Sequence, residues 1–122
     1  MRNILLVGAG GFLGAVLRYG ITVLLFNVGP RDFPLATFLI NVTGAFALGF
    51  FMTFAAERAH LEPEVRLFVA TGLLGAYTTF STFEFETYEL VQTGLYLWTA
   101  ANVLGSVAAG FAAVQLGVAL AR

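Results

Sequence analysis

Three short polar interruptions divide this chain into four apolar segments, and that pattern constrains its fold more than any other feature of the sequence. A helix crossing a bilayer needs about 20 mostly apolar residues. The first segment runs from about Ile4 to Val28 and contains one charge, Arg18. The second, about Leu35 to Ala56, and the fourth, about Leu95 to Leu120, contain none. The third starts near Val65, stays apolar to Phe80 and then acquires carboxylates. The interruptions are a Pro-bounded turn at Gly29–Pro34, the charged stretch Glu57–Arg66 and the short Gln92-Thr93-Gly94 turn. The expected fold is an all-α integral membrane protein, one domain of four transmembrane helices over residues 1–122.

Composition leaves little room for a soluble alternative. Only 11% of the residues are charged and 59% are hydrophobic, whereas a soluble domain carries about 25% charged residues. A net charge of −1 gives no basic face for nucleic acid. The absence of cysteine excludes disulfides, thiolate zinc sites and cysteine nucleophiles. Arg2 followed by the apolar run Ile4–Leu17 resembles a signal peptide, but no polar mature domain follows, so a retained first helix is expected. Four crossings place both termini and the second loop on one side. Arg2, Arg58, Arg66 and Arg122 fall there, against Arg31 and Arg18, a bias toward cytoplasmic termini.

The stretch Gly8-Ala9-Gly10-Gly11-Phe12-Leu13-Gly14, with Asp32 downstream, imitates a dinucleotide-binding turn. Such a turn needs a βαβ context, which uncharged spans cannot supply. The better reading is helix packing through small residues four apart: Gly10 and Gly14, Ala45 and Gly49, Gly105 and Ala109.

The third segment carries the chemistry. From Gly72 to Glu86 it gathers hydroxyls at Thr78, Thr79, Ser81 and Thr82, rings at Tyr77, Phe80, Phe83 and Phe85, and then Glu84 and Glu86. Helical spacing puts Thr79, Thr82, Glu86 and Glu89 on one face and Phe80 and Phe83 beside it. Glycines and β-branched residues weaken the helix between Gly75 and Thr79. A break there frees carbonyls at membrane depth, where irregular backbone survives only if it is buried or binds something. Asn41 in the second segment, and Asn102 and Ser106 in the fourth, are further polar groups that need partners. Arg18 reads either as a helix-end residue reaching the interface or as an anion attractor. His60 sits among carboxylates in the charged loop and reads as solvated.

Gly11-Phe12-Leu13-Gly14-Ala15-Val16-Leu17-Arg18-Tyr19, Asn41-Val42-Thr43-Gly44 and Thr71-Gly72-Leu73-Leu74-Gly75-Ala76-Tyr77-Thr78-Thr79-Phe80-Ser81-Thr82-Phe83 resemble the signatures of the Fluc (CrcB) fluoride channels, in order and over nearly the whole chain. The resemblance implies an antiparallel, dual-topology homodimer in a bacterial plasma membrane. It implies two pores that export fluoride from the cytoplasm, and a structural sodium ion at the dimer interface. Carried over, it makes Asn41, Phe80, Ser81, Thr82, Phe83 and Ser106 pore residues, Arg18 a vestibule residue and Glu86 a mouth residue. The backbone carbonyls of Gly75 and Thr78 would hold the sodium. Glu84 departs from the pattern, which has a small polar residue such as serine there.

The chemistry fits the resemblance. Fluoride is small and strongly hydrated, so a pore must replace its water with donors. Ser, Thr and Asn donate without a fixed charge, phenyl rings present a positive edge, and weak sequential sites permit exit. Two other classes compete. A proton-coupled multidrug transporter needs an intramembrane carboxylate in its exchange site, and the first two segments have none. A non-transporting structural subunit predicts that polar changes at Asn41 or Thr82 are silent. No nucleophile–base pair or His-carboxylate cluster suggests an enzyme.

Overall fold

A computed structural model describes Met1–Arg122, and all its regular elements are helical. Helix α1 covers Arg2–Leu25 and α2 covers Leu35–Thr53, the latter running on into a π-helical turn at Phe54–Arg58. The third segment is a series of short pieces. Helix α3, Pro63–Arg66, opens with proline in the first turn, where no backbone donor is needed. It continues through π-helical Leu67–Leu74 into α4, Gly75–Tyr77; α5 then covers Phe80–Gln92. Helix α6 covers Tyr96–Ala121. Helices α1 and α6 and the stretch Leu35–Arg58 are long and apolar enough to cross a membrane. Glycines with positive φ, Gly29 at 87° and Gly94 at 74°, sit in the first and third turns.

Glycines set the helix packing. A Cβ at Gly10 would lie 2.2 Å from the Phe68 carbonyl oxygen, and one at Gly14 would lie 2.1 Å from that of Leu73. Gly72 answers from the facing side, where a Cβ would meet the Val7 oxygen at 2.8 Å. Helix α1 therefore lies directly on the backbone of the third segment. Gly49 and Gly117 do the same for α2 and α6: their added Cβ atoms would approach the oxygens of Val114 at 2.6 Å and Phe46 at 2.3 Å. The first two glycine spacings thus act within one chain. The third does not, because a Cβ at Gly105 would find no atom within 4 Å.

Charges tie one end of the bundle together. The Arg2 guanidinium pairs with the Glu64 carboxylate, and Arg122 Nε lies 3.7 Å from Glu57 Oε1. Both termini thus meet the charged stretch Glu57–Arg66, one at the π-helical turn and one at α3. Arg66 completes this end by donating to the carbonyls of Leu61 at 3.2 Å and Ala55 at 3.0 Å. Ala55 is buried in the π-helical turn, and its oxygen also accepts the Leu61 N–H at 3.0 Å from the bend after it. His60 takes the left-handed conformation there, with φ 45°. The interior is thin: 17 of 122 residues are buried, and large apolar side chains line the outside of every long helix. That arrangement suits a hydrocarbon solvent.

Candidate functional site

The third segment breaks at two residues. Thr78 has ψ 157° and Thr79 has φ −150° and ψ 116°, both extended. Thr79 is therefore not on the helical face that spacing assigned it. It is the N-cap of α5, and its Oγ1 accepts the Thr82 N–H at 3.3 Å while donating to Thr82 Oγ1 at 2.9 Å. Asn41, projecting from α2, holds the break open. Its Nδ2 donates to the Thr79 carbonyl at 3.0 Å, and its Oδ1 accepts the Thr79 N–H at 2.8 Å. One amide side chain thus replaces two backbone partners that a continuous helix would have supplied.

These bonds have a consequence for two carbonyls. In an unbroken helix the Thr79 N–H would reach the Gly75 oxygen, and the Thr82 N–H would reach the Thr78 oxygen. Here the first goes to Asn41 and the second to the Thr79 hydroxyl. Gly75 and Thr78 both line a cavity of about 310 Å³ that also touches Asn41, Gly44 and Val114. Gly44 lets the break approach α2, since a Cβ there would meet Thr78 Cγ2 at 2.2 Å. On the same side Thr43 Oγ1 and the Tyr77 hydroxyl are 2.9 Å apart.

Two further cavities share the break as a wall. One, about 280 Å³, is lined by Asn41, Thr78, Thr79, Phe80, Phe83, Ser106 and Val107, with no charged residue. Its two rings have centroids 5.9 Å apart and planes tilted by 39°. They differ in setting: Phe83 is 8% exposed, Phe80 74%. The other cavity, about 340 Å³, contains Arg18, Thr37, Thr79, Thr82 and Glu86. Glu86 Oε1 accepts from the Thr37 hydroxyl at 2.8 Å, while its Oε2 is buried without a partner. Arg18 forms no ion pair and brings a positive charge to a cavity that the Glu86 carboxylate also lines. Thr79 separates the charged cavity from the aromatic one.

The chain as a whole matches a known family over this same architecture. The family model described as CrcB-like protein, Camphor Resistance (CrcB), matches residues 5–118. The chain belongs to the CrcB-like family. Among its relatives, a "Fluoride-specific ion channel FluC" of Solibacter usitatus (strain Ellin6076) is 48% identical over 119 residues, 97% of each chain. Proteins of the same name from Nitratidesulfovibrio vulgaris (strain DSM 19637 / Miyazaki F) and Rhizobium meliloti (strain 1021) are 41% and 44% identical over 122 residues, each covering 100% of this chain and 98% of the relative. Together with its span-length apolar helices, this makes the CrcB-like chain a multi-pass membrane protein and not an enzyme.

Within the CrcB-like chain, the structure gathers most of the residues singled out from sequence. Asn41, Phe80, Phe83 and Ser106 line one cavity, Arg18, Thr82 and Glu86 the next. Ser81 lines neither and lies exposed on α5. Asn102 is buried and ties α6 to α5: its Nδ2 donates to Thr87 Oγ1 at 3.0 Å, and Ser106 Oγ donates to its Oδ1 at 3.4 Å. Sequence reasoning missed Thr37, an isolated threonine in an apolar helix, because only the fold brings Glu86 to it. It also missed the π-helical stretches, which have no periodic signature of their own.

Proposed function

We propose that this chain is the subunit of a fluoride-selective passive channel. The observation that carries the reading is the uncharged cavity of Asn41, Thr78, Thr79, Phe80, Phe83 and Ser106 at a helix break halfway along an apolar segment. The name borne by its relatives, fluoride-specific ion channel, points the same way. Arg18 draws the anion into the first cavity, where the Thr82 hydroxyl, an acceptor toward Thr79 with its own hydrogen free, takes over part of its hydration shell. The Asn41–Thr79 clamp forms the passage to the second cavity. Asn41 Nδ2 spends one of its two hydrogens on Thr79 and keeps the other for the ion. The partial positive charge at the N-terminus of α5 favours an anion here. Beyond it, the edges of Phe80 and Phe83 guide fluoride without a fixed charge to trap it. Chloride is larger and gains less from closely spaced donors.

The working unit is an antiparallel homodimer with two pores, exporting fluoride from the cytoplasm of a bacterial cell. The exposure of Phe80 and the open side of the Gly75–Thr78 cavity support a second copy at this face. Carbonyl oxygens relieved of their helical donors suit a hard monovalent cation, so Gly75 and Thr78 fit as ligands of a structural sodium ion. Two carbonyls are too few to replace its water, and a symmetric copy would double them. Sodium bound there would supply a fixed central positive charge.

Efflux from liposomes containing the purified protein, read with a fluoride electrode and repeated with chloride, tests this function. Fast fluoride release without chloride release is expected, and Phe80→Ile and Phe83→Ile are each expected to abolish it while the dimer persists. Undiminished flux in both variants would remove the role given to the rings. Drug binding that releases protons would instead favour the multidrug-transporter class.

A further inference from the structure

The chain has six arginines and no lysine. Arg2 and Arg122 are engaged in ion pairs, and Arg66 donates to backbone carbonyls. The guanidinium groups of Arg18, Arg31 and Arg58 have no protein partner. Arg58 lines no cavity, whereas Arg31 lines two. The larger of these, about 480 Å³, shares Thr22, Ala36 and Glu86 with the Arg18 cavity, so the two adjoin across a common wall. The smaller, about 250 Å³, shares Arg31, Phe33, Pro34 and Glu86 with the larger and adds Asp32 and Glu89.

The first turn is built to hold Arg31 at this place. The Pro30 carbonyl accepts the Phe33 N–H at 3.2 Å, closing a four-residue turn with Arg31 and Asp32 at its corners. Proline at 30 and 34 fixes the backbone on either side. The Phe33 ring lies 5.5 Å from that of Phe38 and 5.7 Å from that of Trp98, centroid to centroid, which pins the turn to α2 and α6. Arg31 itself stays exposed to water.

We propose that Arg31 is the capture residue of this end of the protein, collecting fluoride from water and delivering it across the shared wall to Arg18. This rests on the channel reading above. In the larger cavity Arg31 and Glu86 are the only charged residues, and they offset each other. Without Arg31, the Glu86 carboxylate would stand alone at the step into the Arg18 cavity and repel an incoming anion. Asp32 and Glu89 oppose an anion only in the smaller cavity, which makes the larger one the way in.

The experiment measures initial fluoride efflux from liposomes for the full chain, Arg31→Gln, Arg31→Lys and Arg58→Gln, at low and high concentrations of an impermeant salt. Size-exclusion chromatography checks that each is folded. Arg31→Gln is expected to lower the low-salt rate roughly tenfold, the scale on which a focused charge changes ion capture. Arg31→Lys is expected to keep most of the rate, because steering needs a charge and not a planar fork. Arg58→Gln removes the same charge from a surface without a cavity and is expected to conduct like the unmodified chain. The deficit of Arg31→Gln is expected to shrink as salt rises, because exposed charges are screened. A loss caused by altered packing would not shrink. If the unmodified chain conducts, and Arg31→Gln matches it, or loses rate independently of salt, or falls no further than Arg31→Lys or Arg58→Gln, the inference is overturned and the channel reading stands. If the unmodified chain is folded but silent to fluoride, the channel reading itself fails and this inference with it.

Discussion

Asn41 stabilises the fold by standing in for backbone. Its amide satisfies the N–H and the C=O of Thr79 at a depth where no water replaces them. Removing it orphans both groups, each at about 1–3 kcal/mol. Asn41→Leu is thus expected to lower the stability of the fold by about 3 kcal/mol, measured as a shift in thermal unfolding in detergent. Asn41→Asp retains the acceptor and is expected to lose less. His60 is a second position where a single residue carries strain, at φ 45°. Histidine tolerates this region better than β-branched residues do. His60→Ile is expected to destabilise by about 1–2 kcal/mol without affecting transport, read by unfolding and efflux in parallel.

At the scale of elements, the decisive contacts are between backbones. Helix α1 can approach Leu67–Tyr77 only because Gly10, Gly14 and Gly72 lack side chains. Gly14→Ala would drive a methyl into the Leu73 carbonyl and push the helices apart. It is expected to cost about 3 kcal/mol or more, near the upper end for overpacked cores. Gly105→Ala has open space and is expected to be neutral or slightly stabilising. Unfolding of the two variants side by side separates packing glycines from merely helical ones. The same contact ties α1 to the third segment next to its break, so Gly14→Ala is also expected to reduce ion flux.

The whole molecule exposes 7707 Å² of surface, against about 6,300 Å² expected for a compact soluble chain of this mass. The excess lies in apolar side chains and in cavities open on one side. Lipid accounts for the former. In the proposed homodimer a second copy would cover the latter, and on that reading the purified protein is expected to run as a dimer by light scattering corrected for bound detergent. A monomer that nonetheless passed fluoride would count against the shared sodium site and the interface built on it.

The sequence by itself determined the solvent and the elements. Apolar segments about as long as a bilayer is thick, with few charges inside them, admit few folds, and the observed helices fall within a few residues of those segments. It also located the break near Gly75–Thr79, because glycine and threonine weaken helices wherever they occur. Motif residues such as Asn41, Phe80 and Phe83 stood out for the same local reason, as polar or aromatic groups that an apolar span does not need. What only the tertiary structure decided was pairing. That Asn41 clamps Thr79, that Thr37 meets Glu86, and that Gly44 accepts Thr78 depend on separations of 34 to 49 residues, which no local pattern encodes. The role of Thr79 changed from face residue to cap because an extended backbone replaces helical periodicity at the break. Periodicity describes a helix, and the chemistry of this chain is concentrated where its helix stops.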